Sequence, residues 1–487
     1  MTETTQKKGL SPFTRQVAEL VGGPGITITR GSSIAEAAKL MAEQGVGSLV
    51  VLEGSEPVGM ITKTDLVRRV LAANMDTGRK VDEVMTREII SIDGEKPLFD
   101  GLMLMIHNKI SHLVVKDGEG MIGVVSERDW LTFQRNHPAA LFQQMAQGAT
   151  VAELAELRQK ANDLVRALFA EEGTAAALTE LVTEINDRVA IRVLELTLAE
   201  MAGPPPAPFA WIAMGSEGRS EQTLSTDQDN GLVFSDLPDA AREPARHWFL
   251  EFAGRVVEGL QVCGFPRCKG NIMASNPELC LSLSEWREMF ARLIVTSDPE
   301  ALLKASIYFD FRCLFGEPTL VDDLWRDLLQ HIASSRGFLR YMTGEGEVFG
   351  GLPVNSLGWK LRRLVGMSPP PIDIKRQALS PMVRSLRAVA LDCGVSQTNT
   401  LKRLEVARER GVIPGDLADA ARAAYDFVMV LRIRENFRQQ AQGESPSNLI
   451  DFKNLNRLQG HFLINALQTI ADFEGFIQDK YGGLEVL

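Results

Sequence analysis

The sequence is poor in cysteine, and the few it has do not pair. Cys263, Cys268, Cys280, Cys313 and Cys393 are odd in number, no two form a Cys-x-x-Cys, and the six histidines do not cluster near them. That counts against a zinc site and fits a reduced, cytoplasmic compartment. No stretch approaches the roughly 18 apolar residues that a membrane-spanning helix requires. The opening MTETTQKKGLSPF lacks the apolar core of a signal peptide. Basic charge is in short supply as well: 52 Lys and Arg stand against 63 Asp and Glu, a net charge of −11. A surface that coats nucleic acid by releasing counterions is therefore not expected. Small nucleotides stay open, because a few amides, cations and metal ions hold them locally.

What is present fits a soluble multidomain chain. At 487 residues the sequence exceeds what one core supports, and about two to four domains are expected. An internal repeat comes first. The stretch ITITRGSSIAEAAKLMAEQGVGSLVV, Ile26 to Val51, slid by 64 positions, superposes without a gap on the stretch ending SHLVV at Val115. Ala38 falls on Leu102, Met41 on Met105, and Leu49-Val50-Val51 on Leu113-Val114-Val115. GMITKTDL (59–66) then matches GVVSERDW (123–130). Each copy reads as strand, amphipathic helix, strand, turn, strand and helix, and the two copies are expected to cover each other's sheets.

This pattern resembles a CBS-domain pair over about residues 20 to 135, with repeats at 20–75 and 76–136 after a leader of 1–19. The resemblance implies adenine-nucleotide binding (AMP or ATP) and a homodimer. Its ligand residues would be Thr62 with Asp65 and Ser126 with Asp129. A carboxylate at a helix start accepts from ribose hydroxyls while the hydroxyl donates to phosphate. The same residues also read as helix N-caps with an acid in the first turn, and both roles are compatible.

Apolar spacing of three or four predicts helices from Ala139 to Met201, broken at Gly173-Thr174. GPPPAP (203–208) ends this connector, assigned to 137–202. Apolar runs at Phe209–Ala213, Gly231–Phe234 and Ser306–Leu314 read as strands. Beyond Pro369-Pro370-Pro371 the chain reads as all helix.

The most informative stretch is MGSEGRSEQTLSTDQDNGLVF (214–234). A strand runs into Gly215-Ser216, a helix is expected to about Leu224, and a second strand carries Asp227 and Asp229. Glycine lets a ligand approach the backbone, and free amides at the helix start suit a triphosphate. Strand residues i and i+2 share a face, so Asp227 and Asp229 converge while Gln228 turns away. Paired carboxylates beside a phosphate suit Mg²⁺, a hard cation, and two such ions can activate an attacking oxygen and stabilise a leaving pyrophosphate.

Gly-Ser, ten residues, then Asp-x-Asp is similar to the signature of the polymerase-β-type nucleotidyltransferase superfamily. The wording GSEGRSEQTLSTDQDN resembles the branch holding protein-PII uridylyltransferase and its CBS-fused relatives. The resemblance continues through MASNP (273–277) and IDIKRQALSPMVRSLRAVAL (372–391). It implies a mixed α/β multidomain chain: CBS pair, helical connector, a polymerase-β-like domain at 203–335 and an all-α substrate-binding domain at 336–487. The superfamily places a third acid on a neighbouring strand. Asp310 in SIYFDFRCLFG is the candidate, with an ion pair to Arg312 as its alternative. Arg219 and Lys269 are candidate phosphate ligands, although Arg219 can equally pair with Glu217 or Glu221. Lys375 could reach the nucleotide from the helical domain, with a solvated surface lysine as the alternative, and Cys263 and Cys268 read as structural.

The implied activity is Mg²⁺-dependent transfer of a nucleoside monophosphate from an NTP to a hydroxyl. The acceptor would be a protein such as a PII-like regulator, with the CBS pair as sensor. Neither nucleic acid nor membrane is expected as a partner. The alternative is a nucleotide-sensing scaffold without catalysis.

Overall fold

A computed structural model describes residues 16–54, 56–118, 120–127, 129, 138–170, 174–224, 226–296, 299–343 and 369–482. It divides into two compact units, residues 1–143 with 167–173, and residues 144–166 with 174–487.

In the first unit each repeat builds a three-stranded sheet. The first contains β1 (Thr27–Thr29), α1 (Ile34–Glu43), β2 (Ser48–Glu53) and β3 (Glu56–Thr62); the second contains β4 (Ser91–Asp93), α2 (Leu98–His107), β5 (His112–Asp117) and β6 (Gly120–Ser126). In both, the first two strands pair parallel and the last two antiparallel. Leu49 opposes Ile61, and Leu113 opposes Val125, so the 64-residue shift holds at the level of strand register. Alternation along β2 sends Leu49 and Val51 into a core with Ile34, Ala37 and Met41. Leu113 and Val115 join Leu98, Leu102 and Met105 in the second core. Val50 and Val114, on the opposite sheet faces, are buried as well, as expected if both faces are covered.

The leader boundary needs correction. Val17 is fully buried in the second repeat's core, and its amide donates to the Lys96 carbonyl at 2.9 Å. A valine at that position removes apolar surface from water, so the end of the expected leader packs with the second repeat. Residues 1–15 lie outside those described.

In the second unit, helices α3 (Val151–Ala170) and α4 (Ala175–Glu200) follow the expected periodicity, and the Thr174 hydroxyl caps α4 by accepting from the Ala177 amide. α4 is no free-standing connector: Leu181, Ile185, Val189 and Val193 are buried. A four-stranded mixed sheet follows, in the order β10-β7-β8-β9. Its strands are β7 (Phe209–Ala213), β8 (Asn230–Phe234), β9 (Cys280–Ser282) and β10 (Arg312–Gly316). Helix α6 (Asp239–Val262), reached after a four-residue helix α5 (Gly215–Gly218), covers one side of the sheet with Phe249 and Phe252 packed on Phe209.

The expected strand over Ser306–Leu314 is only partly present. Helices α7 (Leu283–Val295) and α8 (Pro299–Tyr308) precede it, and α8 runs through Tyr308 before a turn leads into β10 at Arg312. The helix-forming run ALLKAS carries the backbone through the β-branched and aromatic residues that read as strand. Phe309 and Phe311 are fully buried, and Tyr308 is buried too.

The C-terminal part is helical: α9 (Pro318–Ala333), α10 (Arg336–Thr343), α11 (Ser380–Asp392), α12 (Thr400–Glu409), α13 (Gly415–Ala441) and α14 (Arg457–Gly482). A two-stranded ribbon, Ile372–Asp373 with Leu449–Ile450, interrupts it. α13 and α14 pack along each other, and α13 also packs on α4.

Candidate active site

The Gly215 turn and the paired aspartates are held together by backbone bonds. The Met214 amide donates to the Asp229 carbonyl at 2.8 Å, which fixes the end of β7 beside the start of β8. Asp227 and Asp229 lie just before β8 rather than within it, yet the alternation persists. Gln228 is buried and donates to the carbonyls of Phe265 (2.9 Å) and Val257 (3.2 Å). Buried Asn230 accepts from the Ala274 amide at 2.8 Å. The two aspartates therefore turn to the other side, as the spacing predicts. Their carboxylates and the Cys268 thiol approach within 4.8 Å of one another. Burial, with the Asp227 charge beside it, pushes the Asp229 carboxyl up to about 6. Burial likewise raises the Cys268 thiol to about 11, so it stands here as a neutral donor.

Gly215 is required at its position. Its φ is +59°, and an added Cβ would lie 2.8 Å from Asp229 Oδ2. The helix after it is shorter than expected. It stops at Gly218, and Ser220 adopts a left-handed φ of +56°. A Cβ on Gly218 would sit 1.8 Å from the Asp310 carbonyl oxygen, so the chain is pinned where the motif crosses the α8–β10 turn. Four residues build little helix dipole, and charged side chains must supply what the helix start was expected to provide.

Asp310 does not join Asp227 and Asp229. It is fully buried among three arginines: Arg387 Nη2 lies 2.5 Å and Arg219 Nη1 2.7 Å from Oδ2, and Arg403 Nη1 lies 2.8 Å from Oδ1. Burial alone would raise its pKa, but these arginines, Arg387 first, hold it well below the usual carboxylate range. With its oxygens engaged, Asp310 is no third metal ligand in this structure. Its expected alternative partner is also elsewhere, since Arg312 pairs with Asp187 at 2.7 Å and donates to the Glu217 carbonyl at 3.0 Å. Arg219 also pairs with Glu221 at 2.9 Å, two residues on and past the end of the helix, so the expected pairing forms without helical spacing, and Arg219 still borders the cavity that holds Asp227 and Asp229.

Helical-domain residues close over the motif. The Thr398 hydroxyl donates to the Gly218 carbonyl at 2.8 Å, Asn399 Nδ2 to the Arg219 carbonyl at 3.1 Å, and the Thr400 amide to Glu221 at 2.5 Å. Between the two parts lies a cavity of about 290 Å³. Gly215, Ser216, Asp227, Asp229 and Cys268 line one side, and Lys375, Arg384, Arg387 and Arg432 face it from the helical domain. Burial, followed by the neighbouring Arg432, lowers the Lys375 pKa. Lys269 is absent from this lining and instead borders a second chamber that shares Asp227, Lys375 and Arg432. Of the two readings the sequence offered for Lys375, its position on the cavity matches the nucleotide-facing one, while the three arginines, on two separate helices, carried no signal in the sequence. Sequence reasoning also missed Cys268, whose only signal was its proximity to MASNP.

The paired carboxylates fit one hard divalent cation. Among the described residues no third acid joins them, so the two-ion arrangement expected from the resemblance lacks its ligand set in this structure.

In the first unit, Thr62 and Asp65 form a reciprocal cap: the Thr62 hydroxyl donates to Asp65 Oδ2 at 2.7 Å, and the Asp65 amide donates back at 3.2 Å. Ser126 donates to Asp129 in the same way at 2.7 Å. Thr62 and Asp65 also border a cavity of about 220 Å³ with Lys109, Ser111 and His112 of the other repeat. Ser126 and Asp129 do not line it.

Comparison with known proteins agrees with this division. The CBS domain matches residues 17–72 and 81–136. "Putative nucleotidyltransferase DUF294" matches 159–300, and "Putative nucleotidyltransferase substrate binding domain" matches 355–481. The CBS domain-containing protein YhcV of Bacillus subtilis is 32% identical over 114 residues, 23% of this chain and 81% of that protein. An uncharacterized 17.7 kDa protein of Acidianus ambivalens is 37% identical over 99 residues, 20% of this chain and 59% of its own length. A conserved protein of Pyrococcus horikoshii, known as a crystal structure, is 28% identical, covers 25% of this chain and 92% of its own, and superposes with a TM-score of 0.24. The chain belongs to the CBS-domain-containing proteins. Its second unit carries the nucleotidyltransferase-type domain and its substrate-binding partner.

Proposed function

We propose that the second unit transfers a nucleoside monophosphate from an NTP to a hydroxyl, releasing pyrophosphate. One observation carries this reading: Asp227 and Asp229 converge beside Gly215 in a cavity that Lys375, Arg384, Arg387 and Arg432 face from the opposite side. Arg384 and Arg387 pair with Glu474 and Asp310, so the acids on one wall facing Lys375 and Arg432 on the other are what match a metal-bound triphosphate. Asp227 and Asp229 would hold Mg²⁺, which when bound neutralises phosphate charge and lowers the pKa of an attacking hydroxyl. Gly215 and Ser216 admit the phosphates close to the backbone, while Lys375 and Arg432 balance the charge that accumulates on pyrophosphate as it leaves. The resemblance to protein-PII uridylyltransferase favours a protein side chain as acceptor.

The CBS pair is the sensor in this reading. Asp65 would accept from a ribose and Thr62 would donate to a phosphate of AMP or ATP in the cavity they border, within a cytoplasmic homodimer. One observation favours a second reading, a nucleotide-binding scaffold without transfer: Asp310, the expected third acid, is occupied by arginines. Incubation with labelled NTPs, Mg²⁺ and cell extract separates the two. Label in a protein band that vanishes with Asp227→Asn supports transfer. NTP binding by equilibrium dialysis without any labelled product supports the scaffold.

A further inference from the structure

The second chamber shares Asp227, Lys375 and Arg432 with the first, but its other lining residues have no part in triphosphate binding as described above. It has a volume of about 780 Å³ and is bordered by α3, by the Cys263–Pro266 turn and by the segment after α13. Its lining is rich in carboxamides, including Asn162, Asn436, Gln440 and Asn448. Its charged lining residues are Arg158, Arg166, Lys269, Lys375 and Arg432 against a single acid, Asp227.

Two buried side chains show that this wall is built and incomplete. Arg158 is 5% exposed and stacks 3.7 Å over the Phe265 ring. Its guanidinium donates to Asn186 Oδ1 (3.0 Å) and to the carbonyls of Cys263 (3.0 Å) and Gly264 (3.1 Å). Its Nη2 is buried without a hydrogen-bond partner. No carboxylate pairs with Arg158 among the described residues, although burial lowers its pKa only to about 10, leaving the guanidinium charged at neutral pH. Asn162, 7% exposed, leaves its Oδ1 without a partner. A buried cation without a counter-charge, beside an unpaired amide oxygen, is costly unless a ligand completes it.

We propose that this chamber is the acceptor subsite and that it takes a hydroxyl carried on an acidic peptide segment. Gln440 and Asn448 accept from Arg166 and Arg432, and Asn436 donates to the Ser447 carbonyl, so it is the unpaired Asn162 Oδ1 that can accept from a peptide N–H, while the cationic excess selects negatively charged flanks. The inference rests on the transferase reading above. There the acceptor must reach the α-phosphate from the side away from the leaving pyrophosphate, and the two spaces meet at Asp227, Lys375 and Arg432, which border both. The acceptor oxygen forms a bond to the α-phosphorus, the bond to the bridging oxygen breaks, pyrophosphate departs with that electron pair, and the hydroxyl proton is released to solvent. Lys269, offered by the sequence as a phosphate ligand, would serve here by attracting the acceptor.

Fluorescence anisotropy on the full chain tests this without requiring turnover. The probes are labelled heptapeptides with a central tyrosine and aspartate, serine or lysine flanks, measured beside a labelled RNA oligonucleotide. The aspartate peptide should bind at least about tenfold tighter than the lysine peptide. Lys269→Glu, a change at an exposed side chain, should remove most of that preference, whereas Asn162→Leu should weaken all three peptides alike. A non-hydrolysable NTP with Mg²⁺ should bind Lys269→Glu within about twofold of the unaltered chain. Equal binding of all three peptides, a preference that survives Lys269→Glu, or tighter binding of RNA would overturn the proposal. Failure of the NTP analogue to bind would instead strike the transferase reading, and the two measurements are independent.

Discussion

Arg387 grips Asp310 across 77 residues of sequence through two hydrogen bonds, Nε to Oδ1 at 2.9 Å and Nη2 to Oδ2 at 2.5 Å. The pair joins α11 of the helical domain to the turn that supports Gly218, so one carboxylate ties the two halves of the second unit together. Fork-to-carboxylate geometry of this kind is among the stronger polar contacts available to a protein.

Removing that carboxylate leaves three buried guanidinium groups without their anion. Asp310→Asn should cost about 3–5 kcal/mol in urea unfolding, with transfer activity falling through loss of structure. Acid should act on the same group. The folded pKa of Asp310 lies below its unfolded value, so its contribution is full above about pH 4 and is lost as pH falls through the folded value. Unfolding midpoints measured from pH 5 downward should drop more steeply for the unaltered chain than for Asp310→Asn.

Glu217 should show the opposite sign. Burial, with Asp187 next in weight, raises its carboxyl to about 8. A raised folded pKa gives a contribution that is full below the unfolded pKa of about 4.3 and is lost as pH rises through 8. The melting temperature of the unaltered chain should decline from about pH 4.5 to pH 8 and level off above, and Glu217→Gln should flatten that decline.

Gly215→Ala should separate stability from metal binding. The left-handed backbone costs a residue with a Cβ about 1 kcal/mol, whereas the new methyl group would press on the Asp229 carboxylate 2.8 Å away. Calorimetry with Mg²⁺ or Mn²⁺ should show affinity reduced by about tenfold or more, while the melting temperature moves only a few degrees. Unchanged affinity would remove Asp229 from the metal site.

Lys375→Ala and Arg432→Ala should each weaken NTP binding with little effect on folding. Losing one charged contact to phosphate is worth about 1.5–3 kcal/mol, so KM for the NTP should rise roughly tenfold to a hundredfold. A change in kcat alone would place these residues outside triphosphate binding.

In the first unit, Asp65→Ala should abolish AMP or ATP binding in calorimetry and cost about 1 kcal/mol through the lost cap. Retained nucleotide affinity would leave Thr62 and Asp65 with the capping role alone.

Much of this architecture was legible before any coordinates. The 64-residue repeat set the strand register of both CBS sheets because the side-chain period of two allows no slip without exposing Leu49 or Leu113. The convergence of Asp227 and Asp229 followed from the same alternation. These are local rules, written in consecutive residues.

The errors came from contacts between distant segments. Asp310 looked like a catalytic acid because its strand-like neighbours hid a helix end, and nothing near it in sequence announced Arg387 or Arg403. The helix after Gly215 was cut to four residues by the Asp310 backbone packed against Gly218. Sequence alone decided which groups face together within a repeat or a strand, because backbone geometry sets those periods. Tertiary structure decided which charges are spent on each other and which remain for a ligand, because only close approach in a low-dielectric interior makes a carboxylate choose among arginines.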